Sequence, residues 1–235
     1  MAEPEWKQIV HAVQGGCARG GLDIVHAFAT GAYNANVPAE WRVHDFGRDD
    51  RLGILLGNTR ALWPHFISAL HRDAALAQAE HPFEEYVRAQ ITRAIAGATE
   101  RPSHVTWAHE TEPRALPIQR LAERVGLASL GPSHLSVHPV HGPWLSLHAV
   151  AVFDIEGPSE RVAPLRSPCA GCSQPCMPAL EAALQTAGTD PNGDDIARHA
   201  RAWIAVRDAC PVGRDARYSE QQLAYHYTKD RSLLG

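Results

Sequence analysis

The sequence predicts an α+β fold, with a mixed or antiparallel sheet flanked by helices. Several segments repeat apolar residues every three or four positions, as amphipathic helices do, whereas others are short apolar runs typical of buried strands. Some strand-like segments follow each other as hairpin neighbours instead of alternating with helices, which favours α+β over α/β. The 235 residues are 45% hydrophobic and 20% charged, so we expect one globular domain over 1–235.

The first half of the chain predicts a mixture of helices and strands. The apolar spacing over Glu5–Val13 predicts a helix that the pairs Gly15-Gly16 and Gly20-Gly21 should end. Asn58 or Thr59 is expected to cap a helix that runs to about Ala79. The other elements predicted here are strands at 22–28, 52–56 and 105–108 and helices at 83–98 and 117–127.

The second half predicts a hairpin, a loop and three helices. Two β-like segments, 134–138 and 145–153, are joined by a short turn, and the second has the strongest strand pattern in the chain. Residues 155–178, rich in proline and cysteine, are expected to form a loop, within a Cys-rich insertion or cap at about 155–215. Helices are predicted at 179–187, 196–207 and 219–227. The last begins with a Ser-x-x-Gln capping pattern.

Charge and hydropathy exclude several classes of partner. The formal net charge is -4 and no basic run is present, which argues against a nucleic-acid partner. No apolar stretch approaches the ~18 residues of a membrane helix. The N-terminus, Met-Ala-Glu-Pro-Glu-Trp, does not resemble a secretory signal. The sequence therefore predicts a soluble, cytoplasmic protein without a membrane partner.

The cysteines carry the sharpest local signal. Cys169, Cys172 and Cys176 form a C-x2-C-x3-C pattern, and Cys210 follows further on before a proline. Four thiolates suit an iron–sulfur cluster or a structural zinc ion. Buried thiols that bind no metal are the third interpretation, and all three stay open. Walker, G-x-G-x-x-G, G-x-S-x-G and H-E-x-x-H motifs are all missing from the sequence.

Two further segments carry polar groups that a ligand could use. The hairpin over 131–148 places Ser133 and Ser136 beside a backbone turn. Four arginines lie between Arg207 and Arg231, and such a group can form a bidentate carboxylate site. The alternative for these arginines is a solvated surface with scattered ion pairs.

These two segments resemble motifs of the CblC cobalamin-processing family. The stretch from Arg217 to Gly235, with Arg-Tyr-Ser-Glu-Gln-Gln and Arg-Ser-Leu-Leu-Gly, resembles the C-terminal signature of that family. His138-Pro139, Gly142 and Trp144 resemble its His-Pro-x-x-Gly-x-Trp hairpin. Tyr33-Asn34 is similar to a Tyr-Asn pair after its first strand.

The resemblance implies a fold similar to the flavin nitroreductases and a cobalamin bound with its lower base detached. It also implies removal of the upper axial ligand, by reductive decyanation or by attack of glutathione thiolate on an alkyl group. No catalytic residue is assigned. The residues that would bind the corrin are Ser133, Leu135, Ser136, Val137, His138, Pro139, Gly142 and Trp144.

The resemblance further implies a glutathione site. Arg207 and Arg231 fall at two matching arginine positions, and His148 stands at a third. Arg124 occupies a position where the animal proteins carry histidine. Glutathione, a flavin or a 4Fe–4S cluster on the cysteines is expected to supply the electrons.

The Cys-rich segment is also similar to the epoxyqueuosine reductases, which use cobalamin and iron–sulfur clusters. Their corrin-binding hairpin resembles Leu135 to Trp144, but they carry two full cluster motifs and this chain has one set of four thiols. The alternatives left open are a non-catalytic corrinoid carrier or chaperone and a flavin-dependent reductase on the same scaffold. Expected partners are a corrinoid, a downstream cobalamin-dependent enzyme or reductase, and a second copy in a homodimer.

Overall fold

The computed structural model describes residues 3–110, 115–159, 165–188 and 193–235. The chain divides into a first unit, Met1–Leu127 with Ser146–Pro164, and a second unit, Ala128–Leu145 with Leu165–Gly235. A single domain over 1–235 with a Cys-rich cap at about 155–215 stays a prediction. Residues 160–164 and 189–192 of that cap lie outside the described residues.

The first unit is built on an antiparallel four-stranded sheet in the order β1-β2-β6-β3. The second unit holds a two-stranded ribbon, β4-β5. The strands are β1 (Ile24–Ala29), β2 (Arg51–Asn58), β3 (Ser103–Trp107), β4 (Ser129–Leu130), β5 (Ser136–Val137) and β6 (Ser146–Glu156). Seven of the eight residues of β2 are buried, as the apolar run between glycines predicted.

Helices flank the sheet in the first unit and also occur in the second. In chain order they are α1 (Glu5–Ala18), α2 (Thr30–Asn34), α3 (Leu62–Arg72), α4 (Ala74–Gln78), α5 (Pro82–Ala96), α6 (Ile118–Arg124), α7 (Cys176–Ala187), α8 (Gly193–Arg198), α9 (Ala200–Asp208) and α10 (Glu220–Thr228). The last four, α7 to α10, belong to the described part of the second unit. The predicted α+β class is confirmed. Among the described residues, none of these helices is long and apolar enough to cross a membrane.

Three predicted boundaries are wrong. Helix α1 continues through Gly15-Gly16 and ends at Ala18, before Gly20-Gly21. A Cβ on Gly16 would lie 2.8 Å from the Cβ of Ala94, so Gly16 serves close packing against α5 and not termination. The helix predicted to run to Ala79 breaks at Asp73, whose carboxylate accepts hydrogen bonds from the first backbone N–H groups of α4. The strand predicted from His134 begins later, because His134 has a φ of 60°.

Candidate functional site

A tight turn between His138 and Gly142 organises the predicted corrin-binding hairpin. The backbone N–H of His138 donates to the carbonyl of Gly142 at 2.8 Å, and the reverse bond is 2.9 Å long. Nδ1 of His138 accepts from the backbone N–H groups of Val140 and His141 at 3.1 and 3.2 Å. That nitrogen is therefore engaged in holding the turn, with the ring of His141 stacked 4.7 Å away.

Two glycines bring this turn against the loop that follows Cys210. Gly142 has a φ of 57°, and a Cβ on it would collide with the carbonyl of Val212. Gly213 has a φ of 71°, and a Cβ there would collide with the backbone of His141. Glycine is required at both positions by its conformation and by the close approach of two backbones. The hairpin and the Cys210 loop are thus packed together within the second unit.

Trp144 is a core residue of the second unit. Its side chain is 1% exposed and packs with the buried Tyr218 and Leu223, its ring 5.7 Å from that of Tyr218. Arg207 donates through Nη1 to the carbonyl of Pro143 at 2.5 Å and through Nε to the hydroxyl of Tyr227 at 3.1 Å. The predicted hairpin and the predicted C-terminal segment therefore meet around the Trp144 side chain.

The remaining arginines of the C-terminal segment have different surroundings. Arg217 forms a bidentate pair with Asp208, at 2.6 and 3.0 Å, and also bonds Glu220. The hydrogen bonds that Arg217 donates to the Asp208 carboxylate are the main reason that the pKa of Arg217 is raised. Arg231 is exposed and begins the short 3-10 turn that ends the chain. For Arg217 the ion-pair interpretation describes the structure.

His148, the third residue predicted for glutathione, belongs to the first unit. It lies on β6, and its Nε2 is 2.5 Å from Oδ1 of the buried Asn58. The ring of Phe83 is 6.0 Å away. Its surroundings are the sheet and helices of the first unit, whereas Arg207 and Arg231 belong to the second.

Among the described residues, four buried side-chain polar atoms lack a hydrogen-bond partner. One, Oδ1 of Asp154 in the first unit, lies 3.6 Å from the guanidinium groups of Arg48 and Arg51. The other three belong to the second unit. Within its described residues these atoms are Oγ of Ser136, Oε1 of Gln222 and Nε1 of Trp203. Ser136 is 9% exposed and Gln222 is 1% exposed. Such atoms are rare in folded proteins, and a ligand is one of the ways in which they become satisfied. Gln222 lies in the Arg-Tyr-Ser-Glu-Gln-Gln motif, but it was not among the site residues predicted from the sequence.

The four clustered cysteines line one small cavity in the second unit. It encloses about 20 Å³, room for about one water molecule. Its walls are Pro132, Ser133, Leu135, Val137, Pro143, Pro168, Cys169, Cys172, Gln174, Pro175, Cys176, Cys210, Pro211 and Val212. Burial is the main reason that the pKa of Cys169 and the pKa of Cys210 are raised, and neighbouring thiols raise both further. Among the described residues, no three His, Cys, Asp or Glu side chains are already arranged to hold a single metal ion.

The first unit also contains a cavity of about 810 Å³, which the sequence did not predict. Its volume is typical of small-molecule sites. Tyr33 and Arg124, which the resemblance singled out without a role, both line it. Burial raises the pKa of Tyr33, and the Arg124 guanidinium partly opposes this. The residues come from distant segments, so no local motif could have predicted the cavity.

Comparison with known proteins extends the fold assignment. No protein-family model and no curated protein sequence matches the chain. A solved structure described as a C. elegans B12-trafficking protein CblC, a human MMACHC homologue, is similar with a TM-score of 0.71. The two share 15% sequence identity over 98% of this chain and 95% of that chain. The likeness to epoxyqueuosine reductases gains no support from these comparisons. The chain has the fold of a CblC protein over nearly its whole length. This confirms the predicted nitroreductase-like fold class.

Proposed function

We propose that the protein binds cobalamin and removes its upper axial ligand. The observation that carries this proposal is the fold similarity to a B12-trafficking CblC protein, which spans 98% of the chain. Because that similarity comes with 15% identity, the fold alone does not specify a substrate. The hairpin and C-terminal motifs add the ligand-specific support, since both lie in the second unit and pack together.

The second unit offers polar groups that suit a corrin. The rim of a corrin carries amides, which both donate and accept hydrogen bonds. The buried Oγ of Ser136 can accept from or donate to an amide, and the buried Oε1 of Gln222 can accept from one. The backbone of the Ser133–Pro139 segment would supply further contacts. Trp144, enclosed by protein, would stabilise the hairpin from behind.

The proposed reactions follow from the chemistry of cobalt. In decyanation, one electron reduces Co(III) to Co(II), and cyanide leaves with the electron pair of the Co–C bond. In dealkylation, glutathione thiolate attacks the alkyl carbon, a thioether forms, and the Co–C electron pair stays on cobalt as Co(I). The cofactor supplies this reactivity, and the protein supplies geometry and access.

Arg207 and Arg231 would hold the carboxylates of glutathione in this proposal, because arginine binds carboxylates in a bidentate manner. Arg207 already donates two hydrogen bonds, so it would use its remaining N–H groups. For His148, glutathione binding stays a prediction from the sequence. The one-electron reductant for decyanation would be a reduced flavin, a thiol such as glutathione, or an iron–sulfur cluster. A downstream cobalamin-dependent enzyme would receive the product.

The test is addition of cyanocobalamin or methylcobalamin to purified protein under anaerobic conditions, followed by absorption spectroscopy. We expect a change to a base-off spectrum, and then loss of the upper ligand when glutathione or a one-electron reductant is added. Protein-free corrinoid with the same reductant is the control. Binding without turnover under either reductant would identify a carrier, and no spectral change with either corrinoid would contradict the proposal. Yellow protein without corrinoid affinity would indicate a flavin reductase instead.

A further inference from the structure

We propose that Cys169, Cys172, Cys176 and Cys210 ligate a [4Fe–4S] cluster in the second unit. This inference goes beyond the proposed function, because the cysteine cavity is defined without any reference to cobalamin.

The first step is the convergence of the four thiols. Cys169 and Cys172 lie in one turn, with the N–H of Cys172 bonded to the carbonyl of Cys169 at 3.2 Å. Cys176 is the first residue of α7, and Cys210 follows the end of α9. Two separate pieces of chain, the stretch 169–176 and the residues after α9, thus bring their cysteines to the walls of one cavity. None of the four is in a disulfide.

The second step is the spacing of the sulfurs. Zinc bound at about 2.3 Å by four thiolates would hold the sulfurs about 3.8 Å apart, in mutual contact, with no space for water between them. Here the cysteines surround a cavity of about 20 Å³, and no three potential ligands among the described residues converge on one ion. The four cysteines therefore surround a small open centre and are not in mutual contact as zinc would hold them. A cluster that takes four cysteine thiolates is the group that we place there.

The third step is the set of backbone donors around the thiols. The backbone N–H of Gln174 lies 3.4 Å from Sγ of Cys172, and that of Val212 bonds Cys210. Gly171 and Gln174 have φ values of 78° and 55°, which wrap the loop around Cys172. Hydrogen bonds to sulfur help to set the potential of iron–sulfur clusters.

The fourth step is the wall shared with the hairpin. Leu135 and Val137 line the cysteine cavity. Ser136, between them, points to the other face of the strand because side chains alternate along it. A Cβ on Gly131 would lie 3.5 Å from Sγ of Cys169, which shows how closely the ribbon approaches the thiols. The apolar walls would limit access of water to the cluster.

The experiment is anaerobic purification of the full chain, reconstitution with ferrous iron and sulfide, and metal and sulfide analysis. We expect about four iron and four sulfide per chain. Broad visible absorption should be bleached when dithionite adds one electron to the cluster. The serine variants of Cys172 and Cys210 should each lose most of this iron and absorption. Cys17→Ala is the matched control, because Cys17 is buried in the first unit and should not change the iron content.

Three results would overturn the proposal. One is a single zinc ion per chain with no iron after reconstitution. Another is a colourless protein that retains free thiols or forms a disulfide among the four cysteines. The third is an unchanged cluster in both serine variants. Wild-type metal analysis decides between the first two even if the variants fail to fold, and no corrinoid is added, so the result is independent of the proposed function.

Discussion

The two units differ in how they treat their buried polar groups. In the first unit, the side chain of Asn34 exchanges two hydrogen bonds of 3.0 Å with the backbone of Val43, and Thr59 bonds Asp23 at 2.5 Å. Among the described residues of that unit, Oδ1 of Asp154 is the one buried side-chain atom without a hydrogen bond, and it lies 3.6 Å from both Arg48 and Arg51. In the described part of the second unit, Ser136 and Gln222 bury oxygens that have no partner. Completed hydrogen bonding is what a scaffold needs, whereas uncompensated polar atoms cost stability and persist at functional sites. We therefore expect a ligand to contact the second unit and to complete the hydrogen bonds of these oxygens.

The largest expected effect on stability and binding comes from Gly142→Ala in the second unit. An alanine at this position would have to adopt the left-handed backbone conformation, which costs about 1–2 kcal/mol. Its methyl group would also collide with the Val212 carbonyl. Overpacking adds about 1–3 kcal/mol to this conformational cost. We therefore expect the free energy of unfolding to fall by about 3 kcal/mol and corrinoid binding to be lost. Urea unfolding and a cobalamin titration measure both.

Gly47→Ala is the matched control for that change. Gly47 has a φ of 68°, and a Cβ there would meet nothing within 4 Å. Its cost should be about 1 kcal/mol, from conformation alone. Equal costs for the two variants would mean that the packing of the hairpin against the Cys210 loop is not what requires glycine at Gly142.

The next expected effect is a difference in stability between the alanine variants of Arg207 and Arg231. Removing the Arg207 side chain deletes the hydrogen bonds to Pro143 and Tyr227 and should lower the free energy of unfolding by about 1–3 kcal/mol. The exposed Arg231 should change that free energy by less than about 0.5 kcal/mol when replaced by alanine. Both alanine variants should raise the KM for glutathione in dealkylation. Equal stability of the two would rule out the role of Arg207 in joining the hairpin to the C-terminal segment.

The same contrast explains what the sequence could predict. The central strand β2 was recognised because a buried strand is a local apolar run. The continuation of α1 through Gly16 was not, because it depends on Ala94, far along the chain. The close spacing of Cys169, Cys172 and Cys176 in the sequence predicted that they lie near each other, but the position of Cys210 depends on the intervening helices. The unpaired oxygens of Ser136 and Gln222 follow from tertiary packing, which no sequence pattern encodes.

A smaller effect is expected from Ser136→Ala. Because the hydroxyl is buried without a partner, its removal should leave stability unchanged or raise it by up to about 1 kcal/mol. If Ser136 bonds a corrin amide, affinity for cobalamin should fall about threefold to tenfold, the equivalent of one hydrogen bond. Ser129→Ala is the control, since Ser129 is buried in the same ribbon and is not assigned to the corrin. A similar loss of affinity in both variants would contradict a specific contact.

The last effect concerns acid pH and the first unit. Burial lowers the pKa of His26, whose Nε2 lies 2.8 Å from the carbonyl of Val125. Because the folded-state pKa is below the unfolded value of about 6.5, the unfolded chain takes up the proton first as the pH falls. The contribution of neutral His26 is complete above that value and is lost below it, by at most about 1.4 kcal/mol per pH unit. The difference in unfolding free energy between the wild type and His26→Asn, measured from pH 7.5 to 5, isolates this residue from other titrating groups. A pH-independent difference would show that His26 is not the source of acid sensitivity in the first unit.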